Sequence, residues 1–184
     1  MEIEKLMIPI EKIINNSEEC FAHVSKDGKQ KETLKEHTER CPKYWKNLVE
    51  KKNLMEILEE FEKRYFNSAG EKVKEIFESM TVNIVTMHDI GKVNPEFQKK
   101  KMNHLLYMDI TLNEKVGSKH SIISSVFYLD YYIGVINLAI ENENICKSDG
   151  EKLKDFAYIY SYIISRHHGD LNELERYLES IKGK

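Results

Sequence analysis

The chain has 184 residues, of which 41% are hydrophobic and 32% are charged, and its formal net charge is -3 at pH 7. This composition suits one globular domain with a substantial core and excludes collagen-like and disordered chains. A weakly negative protein has no global attraction for nucleic acid, so a polyanionic partner requires a local cationic patch or metal ions.

The cysteines and the N-terminal residues indicate the compartment. Cys20, Cys41 and Cys146 are odd in number and widely spaced. This usage is typical of a reducing compartment and argues against a disulfide framework or a thiolate zinc site. The N-terminal residues MEIEKL alternate charged and apolar side chains and lack the apolar stretch of a signal peptide. We therefore expect a cytoplasmic protein.

The first half of the chain shows apolar residues at three- and four-residue steps, which is the period of an α-helix. The first such segment follows Thr33, a predicted N-cap with Glu36 at the capping-box position. Pro42 is expected to bend or interrupt this helix. A second helix has its apolar positions in residues 54–65, and the NSAG sequence at 67–70 ends it.

A third predicted helix carries its apolar positions in residues 73–87, and its last turn delivers His88 and Asp89. Gly91 then interrupts the pattern. Pro95 is suited to the first position of a short helix, PEFQKKK. Two polar side chains of metal-binding type therefore stand next to each other at a predicted helix end.

The second half contains three more predicted helices, at 118–141, at about 154–168 and at 171–181. The apolar window 121–140 approaches the length of a membrane span, but Asp130 interrupts it, which favours a core helix. No internal repeat and no regularly spaced strand pattern is evident. The sequence therefore predicts an all-α domain without a membrane segment.

Five of the seven histidines lie near ends of predicted helices or on their apolar faces, and these are His37, His88, His120, His167 and His168. Each alone has an ordinary explanation as a packed side chain or a helix cap. Together with Asp89 they match the ligands of two divalent ions about 3.5 to 4 Å apart, because imidazoles bind transition metals and a carboxylate can bridge them. The residues thus predict metal-assisted phosphoester hydrolysis.

The order of these residues resembles the HD superfamily of metal-dependent phosphohydrolases. HDIGK at 88–92 followed by FQ at 97–98 resembles its CRISPR-associated branch, the Cas3 HD nuclease domain. Further motifs match in order: FAH at 21–23, LKEH at 34–37, SKHS around His120 and HHG at 167–169. The resemblance covers nearly the whole chain. It implies an HD-domain helical bundle with a metal site among helix ends, here a single nuclease domain spanning 1–184. Because the helicase fusion common in the family is absent, the chain is expected to be either a stand-alone nuclease subunit or an excised domain.

The resemblance also implies roles for individual residues. The first metal ion is held by His37, His88 and Asp89, and the second by Asp89 as a bridge together with His120, His167 and His168. The ions are Mn, Fe, Co, Ni or Mg. Asp89 and Lys92 are the implied catalytic residues, with Lys92 contacting a substrate phosphate. The predicted nucleic-acid-binding lysines are Lys92, Lys99, Lys100 and Lys101, although a solvated lysine-rich helix face explains the last three equally well.

The implied activity is cleavage of single-stranded DNA, and in some members RNA, in CRISPR interference. The implied partners are a separate Cas3 helicase and an RNA-guided Cascade-type complex. Two alternatives remain: an HD phosphohydrolase acting on nucleotides or cyclic dinucleotides, and a degenerate, non-catalytic HD assembly subunit. The second alternative, the assembly subunit, is favoured by one departure of this sequence from the family pattern. A further family aspartate, several tens of residues beyond the histidine pair, has no counterpart before Lys184, so the C-terminal part of the family domain is expected to be missing. Asp170 is a poor substitute.

The sequence leaves two interpretations open for one more histidine. His23, in the FAH motif, is either an outer contact of the metal site or the substrate, or an incidental loop residue.

Overall fold

The helices carry most of the chain in the computed structural model, which describes residues 3–66, 69–108 and 117–169. Within these ranges the elements are α1 (Ile3–Leu6), β1 (Phe21–Val24), β2 (Lys31–Thr33), α2 (Leu34–Lys52), α3 (Leu54–Tyr65), α4 (Glu71–Met87), α5 (Pro95–Lys100), α6 (His120–Glu141) and α7 (Lys147–Ser165). Short 3-10 turns occur at Ile10–Lys12, Ile90–Val93 and Leu105–Tyr107. The predicted helical architecture is confirmed. The predicted helix at 171–181 lies outside the described residues.

Helix α2 begins as the sequence predicted and then continues through its proline. The Thr33 hydroxyl accepts a hydrogen bond from the Glu36 backbone N–H at 3.1 Å, and the Glu36 carboxylate accepts one from the Thr33 N–H at 2.8 Å. Of the bend or interruption predicted at Pro42, the interruption is wrong, because the helix runs unbroken over Leu34–Lys52. Buried residues on both sides of the proline, Cys41 and Val49 among them, pack into the fold and offset the lost backbone hydrogen bond.

The core lies between α4, α6 and α7. Its fully buried side chains include Phe77, Met80, Tyr128, Tyr132, Ile136, Leu153 and Ile164. The Tyr128 hydroxyl donates to the Met80 carbonyl at 2.7 Å, and the Tyr132 hydroxyl donates to the Ser79 carbonyl at 2.9 Å. Helix α6 is the one helix in the described ranges with the length and apolar composition of a membrane span. One third of its apolar window is buried in the fold, including Tyr128 and Tyr132, while Val126, Leu138 and other apolar side chains of the helix are exposed.

Helix α7 differs from its predicted boundaries at both ends. It begins at Lys147 rather than near residue 154, and it ends at Ser165. Gly150 lies inside it, where a Cβ atom would come within 2.4 Å of Ile140 Cδ1 on α6. The absence of a side chain at Gly150 therefore allows α6 and α7 to pack closely at this point. Because α7 ends at Ser165, the histidine pair lies in the turn that follows it.

A small antiparallel hairpin, β1 and β2, was not predicted. It pairs His23 with Glu32 and places both strands beside α2. Gln98, which is fully buried, ties the hairpin to the HDIGK segment. Its side-chain amide donates to the carbonyls of Phe21 at 2.9 Å and Lys92 at 2.6 Å, and its oxygen accepts from the Phe21 N–H at 2.9 Å. The hairpin is thus fastened to the chain next to Asp89.

Candidate metal centre

Asp89 is the centre of a cluster of imidazoles. It lies two residues after the end of α4, and only 4% of its surface is exposed. Its Oδ1 atom lies 3.3 Å from the Nε2 atoms of both His120 and His167. Its Oδ2 atom lies 3.2 Å from His37 Nε2 and 3.4 Å from His88 Nε2. Each carboxylate oxygen therefore faces two imidazole nitrogens.

Separate parts of the chain supply these side chains. His37 comes from the first turns of α2, His88 caps the C-terminus of α4, and His120 is the first residue of α6. His167 and His168 lie in the turn after α7, and His168 Nε2 is 3.0 Å from His120 Nε2. The ends of the helices thus meet at one point.

The potential ligand atoms form two groups that share Asp89. One group is His37, His88 and Asp89; the other is Asp89, His120, His167 and His168. Within each group, one ligand atom from each residue lies within 4.8 Å of the others. The structure therefore brings together all six residues for which the sequence predicted metal binding, in the same two sets. That they bind metal stays a prediction.

The hydrogen bonds of the histidines fit divalent cations. His88 Nδ1 is 2.7 Å from the Val85 carbonyl, and His167 Nδ1 is 2.6 Å from the Ile164 carbonyl. A carbonyl only accepts, so each Nδ1 carries a proton, and in the neutral imidazole the lone pair is then on Nε2, the atom that faces the Asp89 carboxylate. Among the described residues, His37 Nε2, His167 Nε2 and Asp89 Oδ1 are buried without a hydrogen-bond partner. The Nε2 atoms and the Asp89 oxygens therefore need positive charge between them, as imidazole protons or as metal ions.

The charge state of Asp89 also fits a site for divalent cations. Burial raises the pKa of its carboxyl, but contacts with His120, His167, His37 and His88 outweigh burial and hold the pKa far below its usual range. The group is therefore an anion at neutral pH. An anionic carboxylate with two separate oxygens is the ligand type that bridges paired divalent ions.

Gly91 allows the Asp89 segment to approach α6. Its backbone N–H donates to the Ser124 hydroxyl at 2.9 Å. A Cβ atom at this position would lie 2.1 Å from the His120 carbonyl oxygen and 2.8 Å from the Ser124 backbone nitrogen. The glycine of HDIGK is thus required for a close backbone contact that places Asp89 next to His120.

A family comparison agrees with this geometry. The family model described as "Cas3, HD domain" matches residues 25–182. The chain belongs to the Cas3 HD domain family. The matched range contains every residue of the Asp89 cluster. No significant match was found among curated proteins or among solved structures.

Family membership confirms the resemblance and the helical fold class that the sequence indicated. Cas3 HD domains are CRISPR-associated, metal-dependent phosphohydrolases, so the family and the geometry indicate the same class of chemistry. The FQ pair of this Cas3 HD domain also has a structural explanation. The Phe97 ring packs edge-on against the His120 ring, with centroids 4.6 Å apart, while Gln98 fastens the hairpin.

The four predicted nucleic-acid-binding lysines lie in different environments. Lys92 is buried in the centre itself, where its ammonium group is 2.8 Å from Asp89 Oδ2 and donates to the Ala22 carbonyl at 3.1 Å. Lys100 forms an ion pair with Glu96 at 2.8 Å, and Lys99 is half-buried on the same helix. Lys101 is exposed beside the second ligand group. Their contact with phosphate stays a prediction.

A groove of about 700 Å³ opens beside His120 and His168. Its described lining contains three cationic side chains and no acidic one, and it includes Lys101, Lys119, Arg166, Phe97, Met102 and Ile122. We call this the basic groove. Sequence reasoning missed Lys119 and Arg166. Their position in the sequence could have indicated them, because each stands directly before a histidine of the second ligand group.

Proposed function

We propose that this Cas3 HD domain is a metal-dependent nuclease that hydrolyses phosphodiester bonds of single-stranded DNA in CRISPR interference. The observation that carries the proposal is the convergence of four imidazole nitrogens on the two oxygens of the buried Asp89 carboxylate. A site of paired ligand groups with one shared carboxylate suits an in-line displacement at phosphorus. We propose a single nuclease domain over residues 1–184.

In this proposal the first ion is held by His37, His88 and Asp89, and the second by Asp89, His120, His167 and His168. When bound, the two divalent ions (Mn, Fe, Co, Ni or Mg) supply Lewis acidity and an activated water. The protein's contribution is to hold the imidazoles rigidly. His88 and His167 are oriented by backbone carbonyls, and the ends of α2, α4, α6 and α7 fix the spacing.

Lys92 is proposed as the second catalytic residue. Its ammonium group is buried 2.8 Å from Asp89 Oδ2, so a phosphate bound at the Asp89 centre would lie close to it. There its positive charge adds to the neutralisation of the phosphate oxygens, and a low-dielectric site strengthens that attraction. Lys92 thus acts on the scissile phosphate rather than along the strand.

The basic groove is the proposed path of the strand on the side of His120 and His168. Lys101, Lys119 and Arg166 would contact successive phosphates, and Ile122 and Met102 offer apolar surface to the bases. Lys99 and Lys100 are proposed as flanking contacts on α5. A separate Cas3 helicase and an RNA-guided Cascade-type complex in the cytoplasm are the proposed partners that expose and deliver single-stranded DNA.

Comparing substrates tests this function. With Mn²⁺, Ni²⁺, Co²⁺ or Mg²⁺, the purified chain is expected to cleave end-labelled single-stranded DNA and to leave dNTPs and cyclic dinucleotides intact, because the groove is open and suited to an extended polyanion. Gel electrophoresis and chromatography of the products measure the two outcomes, with EDTA as the control. Hydrolysis of small nucleotides alone would overturn the nuclease in favour of a nucleotide phosphohydrolase. Metal binding without any hydrolysis would indicate an assembly subunit.

Neutralising the basic groove should weaken strand binding. For the triple variant Lys101→Gln, Lys119→Gln, Arg166→Gln we expect the slope of log affinity against log salt concentration to fall by about 2, since each phosphate contact on a single strand contributes about 0.7. Fluorescence anisotropy with a labelled oligonucleotide in EDTA measures this slope. The charge-matched control is Lys46→Gln, Lys51→Gln, Lys52→Gln, on an exposed part of α2. Equal slopes for the two variants would refute this strand path.

A further inference from the structure

The Nδ1 atoms of the clustered histidines differ in what they face. His88 and His167 each direct Nδ1 to a carbonyl of their own chain segment three residues earlier. His37 has a different neighbour: its Nδ1 atom lies 3.5 Å from the Oε2 atom of Glu32, while its Nε2 atom faces Asp89. The His37 ring therefore stands between two carboxylates, one on each nitrogen.

Three features of the fold hold the Glu32 carboxylate in this place. Glu32 lies on β2, where the hairpin pairs it with His23. The next residue, Thr33, is the N-cap of α2, so the strand joins the helix of His37 directly. The Arg40 guanidinium, one turn beyond His37, donates to the other oxygen, Oε1, at 2.7 Å. With Oε1 held by Arg40, Oε2 is the oxygen directed to the imidazole.

We infer that Glu32 is a positioning residue for the metal centre, which orients His37 through Nδ1 and makes its Nε2 atom a stronger ligand for the first ion. The inference rests on the proposed metal-binding function. A carboxylate on the Nδ1 proton selects the tautomer with a lone pair on Nε2 and increases its basicity. A cation at Nε2 makes the Nδ1 proton more acidic, which strengthens the attraction across the 3.5 Å gap.

A separate ion site at Glu32 explains the geometry less well. His23, Glu32 and His37 form a third group of potential ligand atoms. An ion there would take the lone pair of His37 Nδ1 and move the ring proton to Nε2, against the Asp89 centre. The Arg40 guanidinium on Glu32 also repels a further cation, and His23 is mostly exposed at 4.0 Å from Glu32 Oε2. Orientation of His37 is the role that uses both the His37 and the Arg40 contacts of Glu32.

In this interpretation the hairpin contributes directly to the metal site. It places an acceptor on the outer side of a helical histidine, where the backbone carbonyls of α2 are occupied by helix hydrogen bonds. For His88 and His167, a backbone carbonyl near a helix end is the corresponding acceptor.

The test measures metal affinity and the His37 tautomer. Titration calorimetry with Mn²⁺ is expected to show two binding steps in the wild type, with Glu32→Ala weakening one step by about 10- to 100-fold, the usual cost of losing an outer carboxylate. His168→Ala identifies the other step, because that residue belongs only to the second ligand group. ¹⁵N NMR of labelled histidine should show the Nδ1–H tautomer of His37 in the wild type and its loss in Glu32→Ala.

Conservative variants separate orientation from a merely structural effect. Glu32→Gln keeps an acceptor oxygen and is expected to restore the tautomer with an intermediate affinity. Arg40→Gln removes the ion pair but leaves the carboxylate, and Glu39→Gln is a matched control on the exposed side of α2. Unchanged Mn²⁺ affinity and tautomer in Glu32→Ala would overturn the positioning role alone. Absence of two binding steps in the wild type would overturn the proposed metal centre instead.

Discussion

Replacing Asp89 with asparagine is expected to lower metal-dependent cleavage of single-stranded DNA at least about a thousandfold, which equals about 4 kcal/mol of lost transition-state stabilisation. Asparagine preserves the shape but offers one neutral oxygen, and its amide group turns N–H donors toward the imidazole nitrogens. It can neither bridge two ions nor balance their charge. Initial cleavage rates and elemental analysis of bound metal measure the two losses.

The stability of this variant must be measured together with its activity. Lys92 is buried 2.8 Å from Asp89, so removing the carboxylate leaves a buried cation unpaired, which costs about 3 kcal/mol in typical cases. The double variant Asp89→Asn, Lys92→Met removes both charges and should recover stability without recovering metal binding. Asp155→Asn on the exposed side of α7 is the matched control. Full cleavage by Asp89→Asn would contradict the two-ion mechanism.

Gly91→Ala is expected to reduce the free energy of unfolding by about 3 kcal/mol, at the upper end of ordinary overpacking. The added Cβ would meet the His120 carbonyl oxygen at 2.1 Å and the Ser124 nitrogen at 2.8 Å, and both are backbone atoms that cannot rotate away. The segment carrying Asp89 must therefore move away from α6, which also separates Asp89 from His120. Urea denaturation and Mn²⁺ titration measure these effects.

A second glycine provides the control for that substitution. Gly134 lies on α6, where an added Cβ atom would meet no other described part of the fold within 4 Å. Gly134→Ala is expected to raise the free energy of unfolding by about 0.5 to 1 kcal/mol, because alanine favours helix more than glycine does. Equal stability of the two alanine variants would show that the approach of Gly91 to His120 is not tight in solution.

The helices were predictable where local signals were strong. The capping box of Thr33 and Glu36 marked the start of α2, and Pro95 marked the start of α5. Pro42 misled the prediction because its cost is local while the packing that offsets it is tertiary. The hairpin was missed because its strands have four and three residues, too short to show a two-residue period.

The candidate ligand residues themselves followed from the order of the sequence, because histidines and an aspartate at helix ends can be recognised without knowing how the helices pack. What surrounds them could not be recognised in that way. Lys92 gave the same signal as an exposed lysine, yet it is buried against Asp89. Lys119 and Arg166 are 47 positions apart in the numbering and meet at one groove only because α6 and α7 pack side by side.

The sequence by itself determined the helical class, the family and the identity of the six clustered side chains, since these depend on residue type, period and order. The tertiary structure decided which imidazoles face which oxygen of Asp89, where the cationic groove lies and that Glu32 stands behind His37. Those features depend on distances between residues far apart in the chain. Such distances arise from close packing at points such as Gly91 and Gln98, and local sequence propensities do not predict them.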